Sequence, residues 1–332
     1  MRAAWYDRPG PAREVFSVGE LPCPPARPGE LLVEVRASGI NPSDYKQRAN
    51  GPKALTAERT VPHSDGAGIV VAVGAGVDPA RIGSAVWIWN AVHRHGYDAP
   101  APDESGTAAE YVAVPESCAS DLPASTSFEV AACLGVPAFT AYAGVFADGP
   151  VADSTILVQG GAGSVGELAV QLAAAAGATV ITTVSSAQAE QRARDSGAHH
   201  VINYRENEVA AAVLKIIPQG VDKIVEVDFA ANIRVDAKVV APYGTIASYS
   251  STSNREPVIP YYDLQYKAVS VRTIQVFTMP TRLRAAAVDS INSALERREL
   301  RPTIAATFPL EDIAAAHEAA ENRPGGNVVV TP

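Results

Sequence analysis

The sequence predicts an α/β protein in which a doubly wound parallel sheet accompanies a β-rich domain. Between about 126 and 265, short β-branched runs alternate with segments of helical period, the pattern of a parallel sheet wrapped by helices. Residues 1 to about 125 read as strands separated by prolines and glycines. Where the first strand of the alternating part meets its helix stands a glycine cluster, Gly160-Gly161-Ala162-Gly163-Ser164-Val165-Gly166.

In chain order, the expected strands of the first part are 31–37, 68–74, 85–89 and 109–114. A segment rich in Pro, His and Asp lies between Trp89 and Thr107, long enough in a compact domain to suggest a functional rim. Residues 128–146 are helical in pattern despite Pro137. Strands and helices then alternate over 155–159, 164–176, 179–184, 187–196, 200–204, 207–217, 221–227, 232–240 and 244–249. Beyond 265 the pattern predicts a strand over 269–277, a helix over 281–298, a strand over 303–308, a helix over 310–321 and a strand over 327–330. This last segment is expected to complete the first domain, giving domains of 1–125 with 266–332, and 126–265.

The glycine cluster sits in the context that gives it meaning. Thr155 to Gln159 form a strand, and Val165, Leu168, Ala169, Leu172, Ala173 and Ala176 repeat at helical spacing up to Gly177. Gly160, Gly163 and Gly166 would let the backbone approach a pyrophosphate, and the helix start offers free N–H groups and a positive dipole end. The bland alternative is an ordinary strand–helix turn. The next strand ends in Val184-Ser185-Ser186, without the carboxylate that accepts from the ribose hydroxyls in NAD-binding units. A carboxylate would repel a 2′-phosphate and small hydroxyls admit one, so NADPH is the expected cofactor.

Composition excludes several other classes. At 332 residues and 47% hydrophobic, the chain can bury two cores. The Ala-rich stretch near 164–181 is interrupted by Glu167 and Gln171, so no membrane span is expected. The start, Met1-Arg2-Ala3-Ala4-Trp5-Tyr6-Asp7, lacks the apolar core of a signal peptide. Cys23, Cys118 and Cys133 are scattered and odd in number, which points to reduced thiols and a cytoplasmic location. A formal charge of −9 argues against nucleic acid as a partner.

Several stretches, in order along nearly the whole chain, resemble the quinone oxidoreductase branch of the medium-chain dehydrogenase/reductase superfamily. They are Ala37-Ser38-Gly39-Ile40-Asn41-Pro42-Ser43-Asp44-Tyr45-Lys46, Asp65-Gly66-Ala67-Gly68-Ile69-Val70, Gly106-Thr107-Ala108-Ala109-Glu110-Tyr111 and Phe139-Thr140-Ala141-Tyr142. The glycine turn, Gly197 to Arg205 and Phe308 to His317 continue the match. The resemblance implies a GroES-like β domain built from both termini, an inserted Rossmann domain, and a homodimer or homotetramer that binds NADPH. It further implies reduction of a small-molecule quinone or of an activated double bond.

The same resemblance assigns residues. Tyr204 matches a position contacting the 2′-phosphate, and Ser185 one in the adenosine pocket. Ala189 stands where some relatives carry a phosphate-pairing lysine; Arg192, one turn on, is the substitute, or a solvated helix residue. Thr140 and Tyr142 match positions facing the nicotinamide, unless they serve only helix packing. Asn41 and Lys46 match polar positions of the cleft floor, Lys46 being otherwise a surface lysine. Ser250 and Ser251 follow the strand 244–249 at its C-terminal end, where open α/β sheets bind ligands. Phe277 would close the cofactor cleft or belong to the core.

No metal is expected. The zinc-binding relatives use Cys, His and Cys, but Ser38-Gly39-Ile40 carries no thiol and His63-Ser64-Asp65 places its histidine one position early. His63 is then either a ligand or, more simply, a structural histidine. His93 and His95 flank Arg94 and lack partners. Without a Lewis acid, alcohol oxidation is disfavoured. A quinone or an enone needs chiefly positioning and exclusion of water. Tyr45 is a candidate proton donor, one residue out of register with the family tyrosines; solvent is the other source. Trp87, Trp89 and Tyr97 line the acceptor pocket or pack in the core. An enoyl thioester as acceptor, and a non-enzymatic NADPH-binding role, remain the alternative readings.

Overall fold

A computed structural model describes residues 1–51, 58–92 and 106–332. His93, Arg94, His95 and Tyr97 lie outside the described residues. The chain divides into two units, Met1–Pro137 with Pro302–Pro332, and Ala138–Arg301. The α/β class with a GroES-like part and a Rossmann-type parallel sheet is the architecture observed.

Both expected boundaries shift, for identifiable reasons. Helix Phe128–Ala131 stays with the first unit because Ala132 and Cys133 pack with Ala37 and Val329, and Asp65 accepts from the Val136 amide at 2.7 Å. The single helix expected over 128–146 is therefore two, the second being Gly135–Phe146. At the other end, strand Ser270–Thr273 pairs parallel to Val240–Ser248 and extends the second unit's sheet. Gln171 pins the end of that unit: its Oε1 accepts from the Arg301 amide at 2.7 Å and its Nε2 donates to the Arg301 carbonyl at 3.1 Å. The strand expected over 269–277 is shorter, with a 3₁₀ turn at Val276–Thr278.

The first unit is built on a mostly antiparallel sheet. In order its strands are Ile304–Pro309, Asn327–Thr331, Glu30–Ile40, Asp65–Val73, Ala85–Ile88 and Ala119–Asp121, with Tyr111–Pro115 also pairing Glu30–Ile40. The C-terminal strand lies antiparallel to Glu30–Ile40, Val329 facing Gly39, so both ends of the chain share one core. Strands Arg2–Tyr6 and Phe16–Glu20 form a separate antiparallel pair. Trp87 and Trp89 are buried, and the Trp89 indole donates to the Ser117 carbonyl at 3.3 Å. Both tryptophans belong to the buried core.

The second unit's six-stranded parallel sheet runs His200–Asn203, Thr179–Val184, Thr155–Val158, Val221–Glu226, Val240–Ser248, Ser270–Thr273. In chain order this is 3-2-1-4-5-6, the doubly wound arrangement whose ligands bind beyond the C-terminal strand ends. Its register is set by an apolar row: Ile181 lies beside Leu157, Leu157 beside Ile224 and Ile224 beside Ile246, all buried. Each such side chain contributes roughly 1.5–3 kcal/mol on leaving water.

The helices covering the sheet begin and end where local chemistry dictates. Ser186 Oγ accepts from the Ala189 amide at 3.2 Å and opens helix Ala187–Asp195. Helix Ser164–Ala175 stops before Gly177, whose φ of +84° suits the left-handed position past a helix end. Lys267 Nζ donates to the carbonyls of Ala237, Lys238 and Val240, at 2.8 to 2.9 Å. It thereby closes the C-terminus of helix Phe229–Val239, where a cation is favoured. No helix among the described residues is long and apolar enough to cross a membrane.

Candidate functional site

The glycine turn joins strand Thr155–Val158 to helix Ser164–Ala175, and its shape depends on glycine at two positions. Gly160 has φ of +72°, a region open to glycine without steric cost. A Cβ on Gly166 would lie 2.2 Å from the Gly160 carbonyl oxygen, so no side chain fits where the helix folds back on the turn. Gly163, the residue before the helix, supplies no side-chain cap, and the first-turn amides are left for an outside acceptor. These features fit a pyrophosphate, the anion that such a turn and dipole end receive.

Most of the residues anticipated from sequence in this unit gather at the same edge of the sheet. Ser185 follows Thr179–Val184, Tyr204 follows His200–Asn203, and Ser250 and Ser251 follow Val240–Ser248. The Tyr204 amide donates to the Val184 carbonyl at 3.0 Å, placing Tyr204 beside the strand end that carries Ser185, and its ring is 50% exposed. Ala189 is buried, so the position that carries lysine in some relatives is turned into packing. Arg194 pairs with Glu190 at 2.7 Å, whereas the Arg192 Nε is buried without a partner.

Other anticipated residues have partners within their own loops. Ser250 Oγ lies 2.8 Å from Thr252 Oγ1. Ser251 Oγ donates to the Asn254 carbonyl and accepts from the Ala230 amide. Tyr142 packs its ring on Phe146, with centroids 5.2 Å apart, and burial raises its hydroxyl pKa. Thr140 is buried in helix Gly135–Phe146, and Phe277 is half-buried in the 3₁₀ turn.

Asn41, Tyr45 and Lys46 belong to the first unit, on or at the start of helix Pro42–Asn50. Asn41 is buried; its amide donates to Asp44 Oδ2 at 2.7 Å and its Nδ2 to Asp65 Oδ2 at 2.7 Å. Burial pushes the Asp44 carboxyl up to about 7, against the hydrogen bonds it accepts. Tyr45 is half-buried and hydrogen-bonds Arg323; burial raises its pKa, which makes its hydroxyl a weaker acid. Lys46 is exposed.

His63 is structural, because both ring nitrogens are committed. The chain of bonds has one consistent direction. Thr107 donates to the Asp65 carbonyl at 2.5 Å, so its oxygen accepts from Ser38 at 2.7 Å. Ser38 in turn accepts from His63 Nδ1 at 2.8 Å, leaving His63 Nε2 to accept from His317 Nε2 at 2.9 Å. His317 Nδ1 ends the chain as a buried acceptor with no donor. Burial holds both rings neutral, His63 down to about 3 and His317 well below the ordinary histidine value. Among the described residues no cluster of three His, Cys, Asp or Glu side chains is placed to hold a metal.

Sequence reasoning missed the polar layer beneath the glycine turn: Gln159, Thr183, Glu226 and Asp236, all buried. The one signal available was a glutamate closing the otherwise apolar end of Val221–Glu226.

The fold and the turn define a protein with a dinucleotide-binding type of doubly wound unit. Comparison with known proteins makes the class specific. Residues 27–124 match the family described as alcohol dehydrogenase GroES-like domain, and residues 164–293 match zinc-binding dehydrogenase. The chain is similar to the quinone oxidoreductase of Homo sapiens, 27% identical over 301 residues that cover 90% of this chain and 87% of that one. A mycobacterial protein solved in complex with NADPH superposes with a TM-score of 0.85 at 27% identity, over 100% of each chain. A protein described as an NAD-dependent alcohol dehydrogenase superposes with a TM-score of 0.86 at 28% identity, also over 100% of each. The chain belongs to the medium-chain dehydrogenase/reductase superfamily, as a zinc-independent member of the quinone oxidoreductase type, and is an oxidoreductase enzyme that uses a nicotinamide cofactor.

Proposed function

We propose that the enzyme uses NADPH to reduce a quinone. The observation that carries the cofactor choice is the end of strand Thr179–Val184: Ser185 and Ser186 stand where an acid would exclude a 2′-phosphate, and Arg192 carries a buried nitrogen without a partner. The named similarity to quinone oxidoreductases supports the acceptor class. Bound on the glycine turn, NADPH would supply a hydride to an acceptor whose product charge is delocalised. The chain's part is then to bind the pyrophosphate at the turn, to pair the 2′-phosphate, and to orient the acceptor with water excluded. Asn41 stays with Asp65 and Asp44 as part of the framework. Tyr45 is held by Arg323, so solvent is the proposed source of the proton. Consumption of NADPH against a benzoquinone, an ortho-quinone and a linear enone, with NADH as control, tests this reading. Quinone turnover with NADPH preferred supports it; turnover of the enone alone, or equal use of NADH, removes it.

We infer a homodimer or homotetramer as the working assembly. Among the described residues Ser270–Thr273 is one of the two edge strands of the six-stranded sheet and all four of its residues are exposed, leaving backbone groups available for pairing. Tyr261, Tyr262 and Tyr266, which precede it, are also exposed, as is Tyr243, whose amide donates to the Lys267 carbonyl. Light scattering on the purified protein checks the mass. The three cysteines are free and two are buried, in keeping with a reducing, cytoplasmic setting.

A further inference from the structure

Beneath the glycine turn runs a buried hydrogen-bond chain that cofactor binding does not itself require. The Gly160 amide donates to Thr183 Oγ1 at 3.0 Å, so the Thr183 hydroxyl donates to Gln159 Oε1 at 2.8 Å. That bond orients the Gln159 amide, whose Nε2 donates to Asp236 Oδ1 at 2.9 Å. Asp236 hydrogen-bonds Glu226. Glu226 Oε1 accepts from the Asp228 amide and from Asn232 Nδ2. The two remaining oxygens, Glu226 Oε2 and Asp236 Oδ2, are buried and receive no N–H or O–H donor from any other residue described. Two carboxyl groups so placed bond each other only if a proton lies between them. Asp228 continues to the loop after the next strand, accepting from the Ser253 hydroxyl at 2.8 Å.

We propose that Glu226 and Asp236 are positioning residues for the cofactor cradle. Their shared proton fixes Gln159 and Thr183 and so holds the Gly160 amide in the conformation that receives the pyrophosphate. The inference rests on the reading of the glycine turn as the cofactor site. Geometry supplies the direction at every link from Gly160 to Asp236: the turn amide can only donate, and each acceptor in sequence is then forced. The titratable groups facing the pair are Asp228 and Tyr249, and neither brings a positive charge. Burial raises both carboxyl groups above their ordinary values, Asp236 the more strongly. As the pH rises through the pair's raised values the shared proton leaves, two carboxylates face each other, and the chain to Gly160 loses its anchor.

The test is NADPH affinity, by fluorescence titration of the full chain, from about pH 7 to about pH 10, where the 2′-phosphate stays ionised. The wild type is expected to weaken by roughly tenfold over this range. Asp236→Asn and Glu226→Gln each replace the shared proton by an amide hydrogen that does not titrate. Both should keep the neutral-pH affinity and flatten the profile. Asp236→Leu should bind NADPH roughly tenfold more weakly at every pH. Hydrogen exchange of the cofactor-free protein gives an independent readout, with faster exchange of the 158–164 backbone in Asp236→Leu and unchanged exchange in Asp236→Asn. The same pH profile in the wild type and both amide variants overturns the proposal, as does wild-type exchange in Asp236→Leu. If the wild type binds no NADPH at any pH, the cofactor reading fails, and the exchange rates alone decide whether the pair positions the turn.

Discussion

Each unit buries a pair of titratable side chains and keeps it from charging, but the two solve the problem with opposite chemistry. In the first unit His63 and His317 are neutral because they have given up a proton. In the second, Glu226 and Asp236 are held back from full ionisation by retaining one. Both pairs anchor hydrogen-bond chains. The histidine chain ends within its own core, at the Asp65 carbonyl. The carboxyl chain ends at the Gly160 amide, in the turn where the cofactor is proposed to bind. A buried polar network therefore serves folding in one unit and ligand geometry in the other, and burial alone does not distinguish these uses.

The sharpest way to break this comparison is at the turn. Gly166→Val places a side chain against the Gly160 carbonyl and should weaken NADPH binding by about a hundredfold or more, measured by fluorescence titration. Retained affinity would mean that the second unit's polar layer supports no ligand, and the contrast would disappear.

Next in size is the histidine chain. His317→Ala leaves His63 Nε2 without a donor and opens a cavity beside Phe16, whose ring centroid lies 4.7 Å from that of His317. We expect a loss of about 3 kcal/mol in urea unfolding at neutral pH, with NADPH affinity of the folded protein unchanged. An effect on affinity as large as that on stability would erase the functional distinction between the units.

The pH dependence of stability should carry opposite signs in the two regions. His63 falls from 6.5 unfolded to about 3 folded, so the unfolded chain binds more protons between those values. Its contribution is present above pH 6.5 and is lost as the pH falls toward 3. The raised carboxyl pair works the other way: its contribution is present at low pH and is lost as the pH rises through the folded values. Asp44, raised from 3.8 to about 7, has the same sign as that pair and opposes His63 within the first unit. Urea midpoints against pH should therefore show a shallower acid limb in His63→Asn and a shallower fall with rising pH in Glu226→Gln. Asparagine suits position 63, whose φ is +78°. Identical limbs in all three proteins would refute the assignment.

The smallest expected effect concerns Arg192, the cation proposed to pair the 2′-phosphate. Arg192→Gln should reduce the preference for NADPH over NADH by about tenfold, seen as a rise in KM for NADPH with NADH unaffected. Arg194→Gln, which breaks only the exposed pair with Glu190, should leave that ratio unchanged.

The sequence by itself determined the parts that depend on neighbours along the chain. The glycine turn, the helix that follows it and the acid-free end of Thr179–Val184 are written in consecutive residues. Strand, turn and helix preferences there agree with one another. Tyr204 was singled out only through the family resemblance; the alternation of strands and helices did not mark it, and the structure adds that it follows His200–Asn203 beside the strand end carrying Ser185. Only the tertiary structure decided where residues 266–301 belong. A short strand carries no mark of the edge it will join, and Ser270–Thr273 was captured by the neighbouring Val240–Ser248. The histidine pair, 254 residues apart, and the Glu226–Asp236 pair were equally invisible. A carboxyl or an imidazole acquires its proton state from the side chains that surround it after burial, and no local pattern of residues specifies those.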